Sequence, residues 1–148
     1  MTTLAGRHEL FVRAPPDAVW RVHTNIEAWS QWQPDVAASH VEGPIATGTV
    51  FRWKSGGLSI TSRIQHVETA REIAWNGTAI GTRAYHRWTL TPQEGGTLVS
   101  TEESMDGWLV ALLKVVMPDF LNKSLMVWMN SLKERVELQE DAYRSGSA

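Results

Sequence analysis

The sequence contains no cysteine, which excludes disulfides, thiolate nucleophiles and thiolate metal sites. It also has no large excess of either charge: 14 basic and 16 acidic residues leave a formal net charge of -2. A nucleic-acid binder would show basic residues clustered on one face, so no nucleic-acid partner is expected. Long apolar runs are missing as well. The most apolar stretch, Trp108 to Met117, is ten residues long and contains Lys114, whereas a spanning helix needs about 20 apolar residues. No stable membrane insertion is expected. Met1 to Gly6 is not followed by a signal-type apolar run, and with the missing cysteine this gives the expectation of a cytoplasmic protein. No Gly-rich phosphate loop is visible, since Gly56-Gly57 and Gly95-Gly96 read as turns. A Gly-x-Ser-x-Gly nucleophile elbow is absent. The histidines, at positions 8, 23, 40, 66 and 86, do not have metal-ligand spacing along a helix. No metal and no cofactor are expected.

Tryptophan is abundant, with eight in 148 residues. Each buries a large aromatic area and needs a partner for its ring N–H. Core packing and the flat walls of a pocket both account for such a number. The length suits one domain, and such a chain buries roughly 68–70% of its unfolded surface. We read residues 1–148 as a single ligand-binding domain with an ordered core of about 6–140.

Alternating residues predict a first strand from Gly6 to Arg13, with His8, Leu10 and Val12 on one face. Pro15, Pro16 and Asp17 then suit a helix N-terminus. A second short helix is expected from the capping-box pattern Thr24 to Glu27, ending before Pro34. Six more strands follow: Val36–Val41, Thr49–Lys54, Leu58–Val67, Glu72–Ile80, Thr82–Thr91 and Thr97–Met105. Short turns between them imply an antiparallel meander. Leu121, Leu125, Trp128, Leu132 and Val136 have helical spacing, with Lys123, Asn130, Lys133, Glu134 and Glu137 opposite them. Pro118 kinks or restarts this helix, and the tail from Asp141 is expected to fray. The segment Trp108 to Met117 is apolar on nearly all sides. It must be covered by a pocket mouth, a ligand or a second copy of the chain, as in a homodimer.

The fold class is therefore α+β. The sheet must bury one face, and the C-terminal helix is the only long amphipathic element available to cover it. A helix about 10–12 Å across cannot fill a curved seven-stranded sheet, so large side chains or a cavity must occupy the rest. In-phase inward residues give the candidate ligand contacts: Phe51, Trp53, Ile60, Ser62, Trp75, Trp88, Thr101 and Met105 from the strands, and Met117, Leu121, Leu125 and Trp128 from the helices. Arg63, Arg83 and Arg87 are out of phase and read as solvent-facing. Asn76 is out of phase with Trp75 and is not assigned to the pocket.

Taken together, Pro15-Pro16-Asp17-Ala18-Val19-Trp20, Trp29-Ser30-Gln31-Trp32-Gln33-Pro34, Gly48 to Trp53, His86-Arg87-Trp88, Gly96 to Val99 and Thr101 to Gly107 resemble the START-like, birch-pollen-allergen-like (SRPBCC) superfamily. Within it the chain resembles the polyketide cyclase/dehydrase and lipid-transport branch, from about Arg7 to Glu137. The resemblance implies a helix-grip fold: a seven-stranded curved antiparallel sheet around a long C-terminal helix, with two short helices between strands one and two. It also implies a pocket shared by carriers, receptors, aromatase/cyclases and co-chaperones, without fixing a reaction.

His86 and Glu103 are the polar pair on the inward faces. A turn at Glu94-Gly95, counted as two residues or four, puts His86 opposite Glu103, Trp88 opposite Thr101 and Leu90 opposite Val99. A carboxylate there would raise the imidazole's basicity and fix its tautomer, which suits proton removal beside a carbonyl. A structural brace across the sheet accounts for the same pair. Three readings stand: a binding module for a small hydrophobic molecule, a polyketide cyclase-like enzyme using His86 and Glu103, and a co-chaperone-like interaction domain using Trp108 to Met117.

Overall fold

The structure is a computed structural model that describes residues 3–146. Strand β1 (Thr3–Val12) leads into α1 (Pro16–Thr24) and a short 3₁₀ segment, Ile26–Gln31. Strands β2 (Val36–Val41), β3 (Val50–Ser55), β4 (Leu58–Glu68), β5 (Glu72–Ala79), β6 (Thr82–Gln93) and β7 (Gly96–Asp106) follow. Helices α2 (Trp108–Val116) and α3 (Phe120–Gly146) complete the order. The strands form one antiparallel sheet in the order β1-β7-β6-β5-β4-β3-β2. This is the α+β helix-grip architecture that the element order implies.

Helix α3 buries Leu121, Leu125, Trp128, Met129, Leu132 and Val136 against the concave face of the sheet. Burying a side chain of this size is worth roughly 1.5–3 kcal/mol, so this stripe is the main apolar seam of the fold. A glycine lets the seam close. A Cβ on Gly6 would lie 3.0 Å from Leu125 Cδ1 and 3.2 Å from Asn122 Oδ1, so a larger residue there would force these side chains of α3 to shift. The far end is clamped by charge. Glu137 accepts from the Arg13 backbone N–H at 2.8 Å and from Lys133 Nζ at 2.6 Å, while Lys133 also donates to the Phe11 carbonyl at 2.8 Å.

Several local expectations are corrected. Glu137 is not on the open face of α3; its side chain turns toward β1, where Arg13 and Lys133 neutralise it. Thr24 caps no helix: its hydroxyl donates back to the Trp20 carbonyl at 2.6 Å, and the following turn is 3₁₀ with no side-chain cap. Helix α3 continues to Gly146 rather than fraying from Asp141. Strand β4 carries an irregularity between Ile64 and His66 that simple alternation does not foresee. Pro118 does interrupt the helical segment, with α2 ending at Val116 and α3 starting at Phe120. Arg63, Arg83 and Arg87 lie on the exposed face. Among the described residues no helix is long and apolar enough to cross a membrane.

Candidate functional site: a cavity with one polar row

The inward face of the sheet is organised in rows running across the strands. One row reads Phe51, Ser62, Gly77, Ala84, Met105 and Leu4. Its middle three members are small. The next row reads Ile64, Trp75, His86, Glu103 and Gly6. Beyond it Ile73, Trp88, Thr101 and His8 stand side by side. Packing fills wherever side chains are large, so space opens above Ser62, Gly77 and Ala84.

A cavity of ≈ 550 Å³ lies beside that space, bounded by Trp53, Ile60, His86, Glu103 and Met105 from the sheet, and by Val110, Leu113, Met117, Phe120, Leu121 and Trp128 from the helices. A pocket of ≈ 60 Å³ extends it between Ser62, Trp75, Gly77 and Ala84. The size falls within the usual range for small-molecule sites, about 300–1,000 Å³. Lys123 and Asp35 lie at its exposed rim.

The other end of the concave face is solid, and Trp29 is its centre. Its ring makes edge contacts with Phe51 at 5.5 Å, Trp53 at 5.4 Å and Trp128 at 5.0 Å, and its Nε1 donates to the His23 carbonyl at 2.8 Å. Such edge-to-face pairs contribute about 0.5–1.5 kcal/mol each beyond burial.

The sequence-predicted residues therefore divide. Trp53, Ile60, Ser62, Trp75, Met105, Met117, Leu121 and Trp128 stand on the cavity wall with His86 and Glu103. Phe51, Trp88, Thr101 and Leu125 do not. Phe51 is covered by Trp29. Trp88 packs on His23, with ring centroids 4.4 Å apart. The Thr101 hydroxyl is spent on hydrogen bonds, and Leu125 closes against Gly6. Sequence reasoning missed Val110, Leu113 and Phe120 as wall residues, and Trp29 as the core centre. Ala84 was in phase, but a small side chain signals a cavity only when its row neighbours are known.

The pair on the polar row has a defined protonation pattern. His86 faces Glu103 in register. The Thr101 hydroxyl donates to the Arg87 carbonyl at 3.2 Å and stands 2.7 Å from His86 Nε2. With its hydrogen on the Arg87 carbonyl, the hydroxyl accepts from His86, which puts the imidazole hydrogen on Nε2 and leaves Nδ1 bare. Nδ1 lies 3.8 Å from Glu103 Oε2, too far for a hydrogen bond. Burial pushes the imidazole down to about 3, with neighbouring His23 adding to the effect. Burial also pushes the Glu103 carboxyl up to about 8. At neutral pH both are uncharged, and the proton sits on the carboxyl. Burial acts against moving it to the imidazole, because it disfavours the charged form of both groups. The expectation that Glu103 raises the basicity of His86 is therefore reversed: desolvation of two charges outweighs their attraction.

His23, at the inner end of the same aromatic group, is held neutral in the same way, lowered to about 3 by burial. Its Nε2 has no hydrogen-bond partner among the described residues. Among those residues no group of three or more His, Asp or Glu could hold a metal ion.

A curved sheet gripping a long helix is the helix-grip fold. The family model for polyketide cyclase/dehydrase and lipid transport matches residues 6–137, and the chain belongs to that family. No curated protein sequence matches it. Its fold is similar to that of the Zhui aromatase/cyclase from a Streptomyces species, with a TM-score of 0.75 and 17% identity, covering 92% of this chain and 94% of that one. A START superfamily protein from Mycobacterium smegmatis gives a TM-score of 0.75 at 15% identity, covering 93% and 98% of the two chains. A hypothetical protein from Helicobacter pylori gives 0.78 at 16% identity, covering 91% and 88%.

Proposed function

We propose that the protein binds a small, largely apolar, ring-containing molecule in this cavity. The ≈ 550 Å³ cavity with Trp53 and Trp128 on its wall carries the reading, and the small residues Ser62, Gly77 and Ala84 deepen it by a pocket of ≈ 60 Å³. Trp53 and Trp128 offer flat surfaces to a ring system, with their centroids 5.9 Å apart. The family's lipid-transport and cyclase members make a carried apolar ligand the natural cargo.

The test uses N-phenyl-1-naphthylamine, a neutral probe that brightens in apolar surroundings. Saturable binding at one site is expected. Ala84→Leu, which pushes a larger side chain into the cavity, should weaken it at least tenfold with the thermal transition within a few degrees of the parent. The absence of saturable binding by the parent protein would overturn the reading, as would binding that Ala84→Leu leaves unchanged.

A second reading is catalytic and rests on the pair facing the cavity. A polyketide cyclase/dehydrase-like step would use the Glu103 carboxylic acid to protonate a carbonyl or a departing hydroxyl, and bare His86 Nδ1 to receive a proton. His86→Ala and Glu103→Gln should each abolish turnover of a poly-β-ketone substrate while the fold survives. Turnover unchanged in both would remove the pair from any mechanism.

A further inference from the structure

Glu103 is the acidic side chain at the floor of a mainly apolar cavity that it shares with His86, while Asp35 lies at its exposed rim. Its side chain is only 16% exposed. Among the described residues no hydrogen bond reaches its carboxyl oxygens, and its charged-type neighbour, His86 Nδ1, is beyond hydrogen-bond distance. Two ring nitrogens near it are unpaired, His86 Nδ1 and, one row further on β1, His8 Nε2, and neither hydrogen-bonds to it; the remaining polar groups are committed. His86 Nε2 is bound to Thr101, Thr101 to the Arg87 carbonyl, and Ser62 Oγ accepts from Trp53 Nε1 at 3.1 Å. On β1 the residue opposite Glu103 is Gly6, which has no side chain to offer. On α3, Lys123 stays exposed at the rim. A buried carboxyl with no protein partner leaves hydrogen-bonding capacity for whatever enters.

We infer that Glu103 selects the ligand: the cavity takes neutral aromatic ketones and phenols, whose oxygen bonds the Glu103 carboxyl, and rejects aromatic carboxylates. This inference rests on the cavity-binding reading above. A carboxylic acid both donates and accepts, so it matches a carbonyl through its O–H and a phenol through its C=O. A ligand carboxylate would place a second acid in the same dry site. Keeping it ionised there costs several kcal/mol, and the cation on the lining, Lys123, is exposed at the rim rather than at the floor. Burial holds the carboxyl in its protonated form at neutral pH, which keeps the donor available.

The experiment follows quenching of tryptophan fluorescence at pH 6 with four probes sharing one ring system: naphthalene, 2-acetonaphthone, 2-naphthol and 2-naphthoate. The ketone and the phenol should bind about 2- to 10-fold more tightly than naphthalene, the worth of one net hydrogen bond, and naphthoate more weakly. The ketone's advantage should vanish as pH rises from 6 to 9, when the donor is lost. Glu103→Gln keeps an N–H donor and should retain the ketone's advantage without the pH dependence. Glu103→Leu should abolish the advantage while naphthalene still binds. If naphthalene binds but the ketone gains nothing, this inference fails and the cavity reading stands. If none of the four binds saturably, both fail. Naphthoate binding most tightly, with affinity lost in Lys123→Ala, would show a head-out carboxylate at the rim and overturn the inference.

Discussion

The buried titratable groups predict a stability maximum near pH 6.5, from which the protein should weaken on both sides. On the alkaline side Glu103 decides. Its carboxyl is held up to about 8 in the fold and ionises near 4.5 when unfolded. Between these values the unfolded chain binds fewer protons, so stability falls as pH rises, by about 1.4 kcal/mol per pH unit. From pH 6.5 to 8 that is about 2 kcal/mol. On the acid side the signs reverse. His23 and His86 are pushed down to about 3 from 6.5, so below pH 6.5 the unfolded chain binds protons that the fold refuses. Two such groups give about 2.7 kcal/mol per pH unit, offset by Glu103 down to 4.5, and leave a net loss of about 3 kcal/mol between pH 6.5 and 4.5. Burial acts to raise the Glu137 carboxyl, but the hydrogen bonds and charges of Lys133 and Arg13 outweigh it and lower it, so it adds to the acid loss below its unfolded value. Urea denaturation at pH 5, 6.5 and 8 measures the curve, with Glu103→Gln as the diagnostic variant. The variant should lose the alkaline decline and keep the acid one. A parent protein as stable at pH 8 as at 6.5, or an alkaline decline that persists in Glu103→Gln, would refute burial as the source of the carboxyl's shift.

Hydrogen exchange should be faster in α2 than in β6 and β7, because Trp108, Leu112, Val115, Val116 and Met117 are all exposed and few contacts hold the helix down. It should slow when N-phenyl-1-naphthylamine binds; uniformly slow exchange in the ligand-free monomer would count against a yielding cover. Gly107→Ala should destabilise the protein by about 1–3 kcal/mol. Gly107 has φ of 120°, and a Cβ there would lie 2.2 Å from the Gly81 carbonyl oxygen, which itself receives the Leu109 N–H at 3.0 Å. A thermal transition unchanged from the parent would show that α2 does not depend on this seat.

The sheet was legible because period-two alternation and short turns constrain each other. The β6–β7 turn alone places His86 opposite Glu103, and the structure has that register throughout the hairpin. The cavity's location was not legible by the same logic. Alternation says which face a residue takes, but not which row, and row position separates Trp53 on the cavity wall from Phe51 in the solid core. Trp29 is on a 3₁₀ turn with no period to read, so its contacts with three strand and helix aromatics could not be placed. The charge state of the His86–Glu103 pair escaped because pairing and burial push in opposite directions. Only the depth of the pair shows that burial wins.

The pairing of β1 with β7 sets an order of assembly on the ribosome. Strands β2 to β7 follow one another through short connections, so each can pair as soon as its neighbour emerges. Strand β1 is made before all of them and pairs only with the last. Until β7 is complete, β1 has no ladder to join, and its Leu10 and Val12 have neither strand nor helix to cover them. Contacts of such long sequence separation are slow to form, and an uncovered strand is a site for wrong pairing. Strand β1 is therefore the vulnerable element during the whole time in which β2 to β7 are being made.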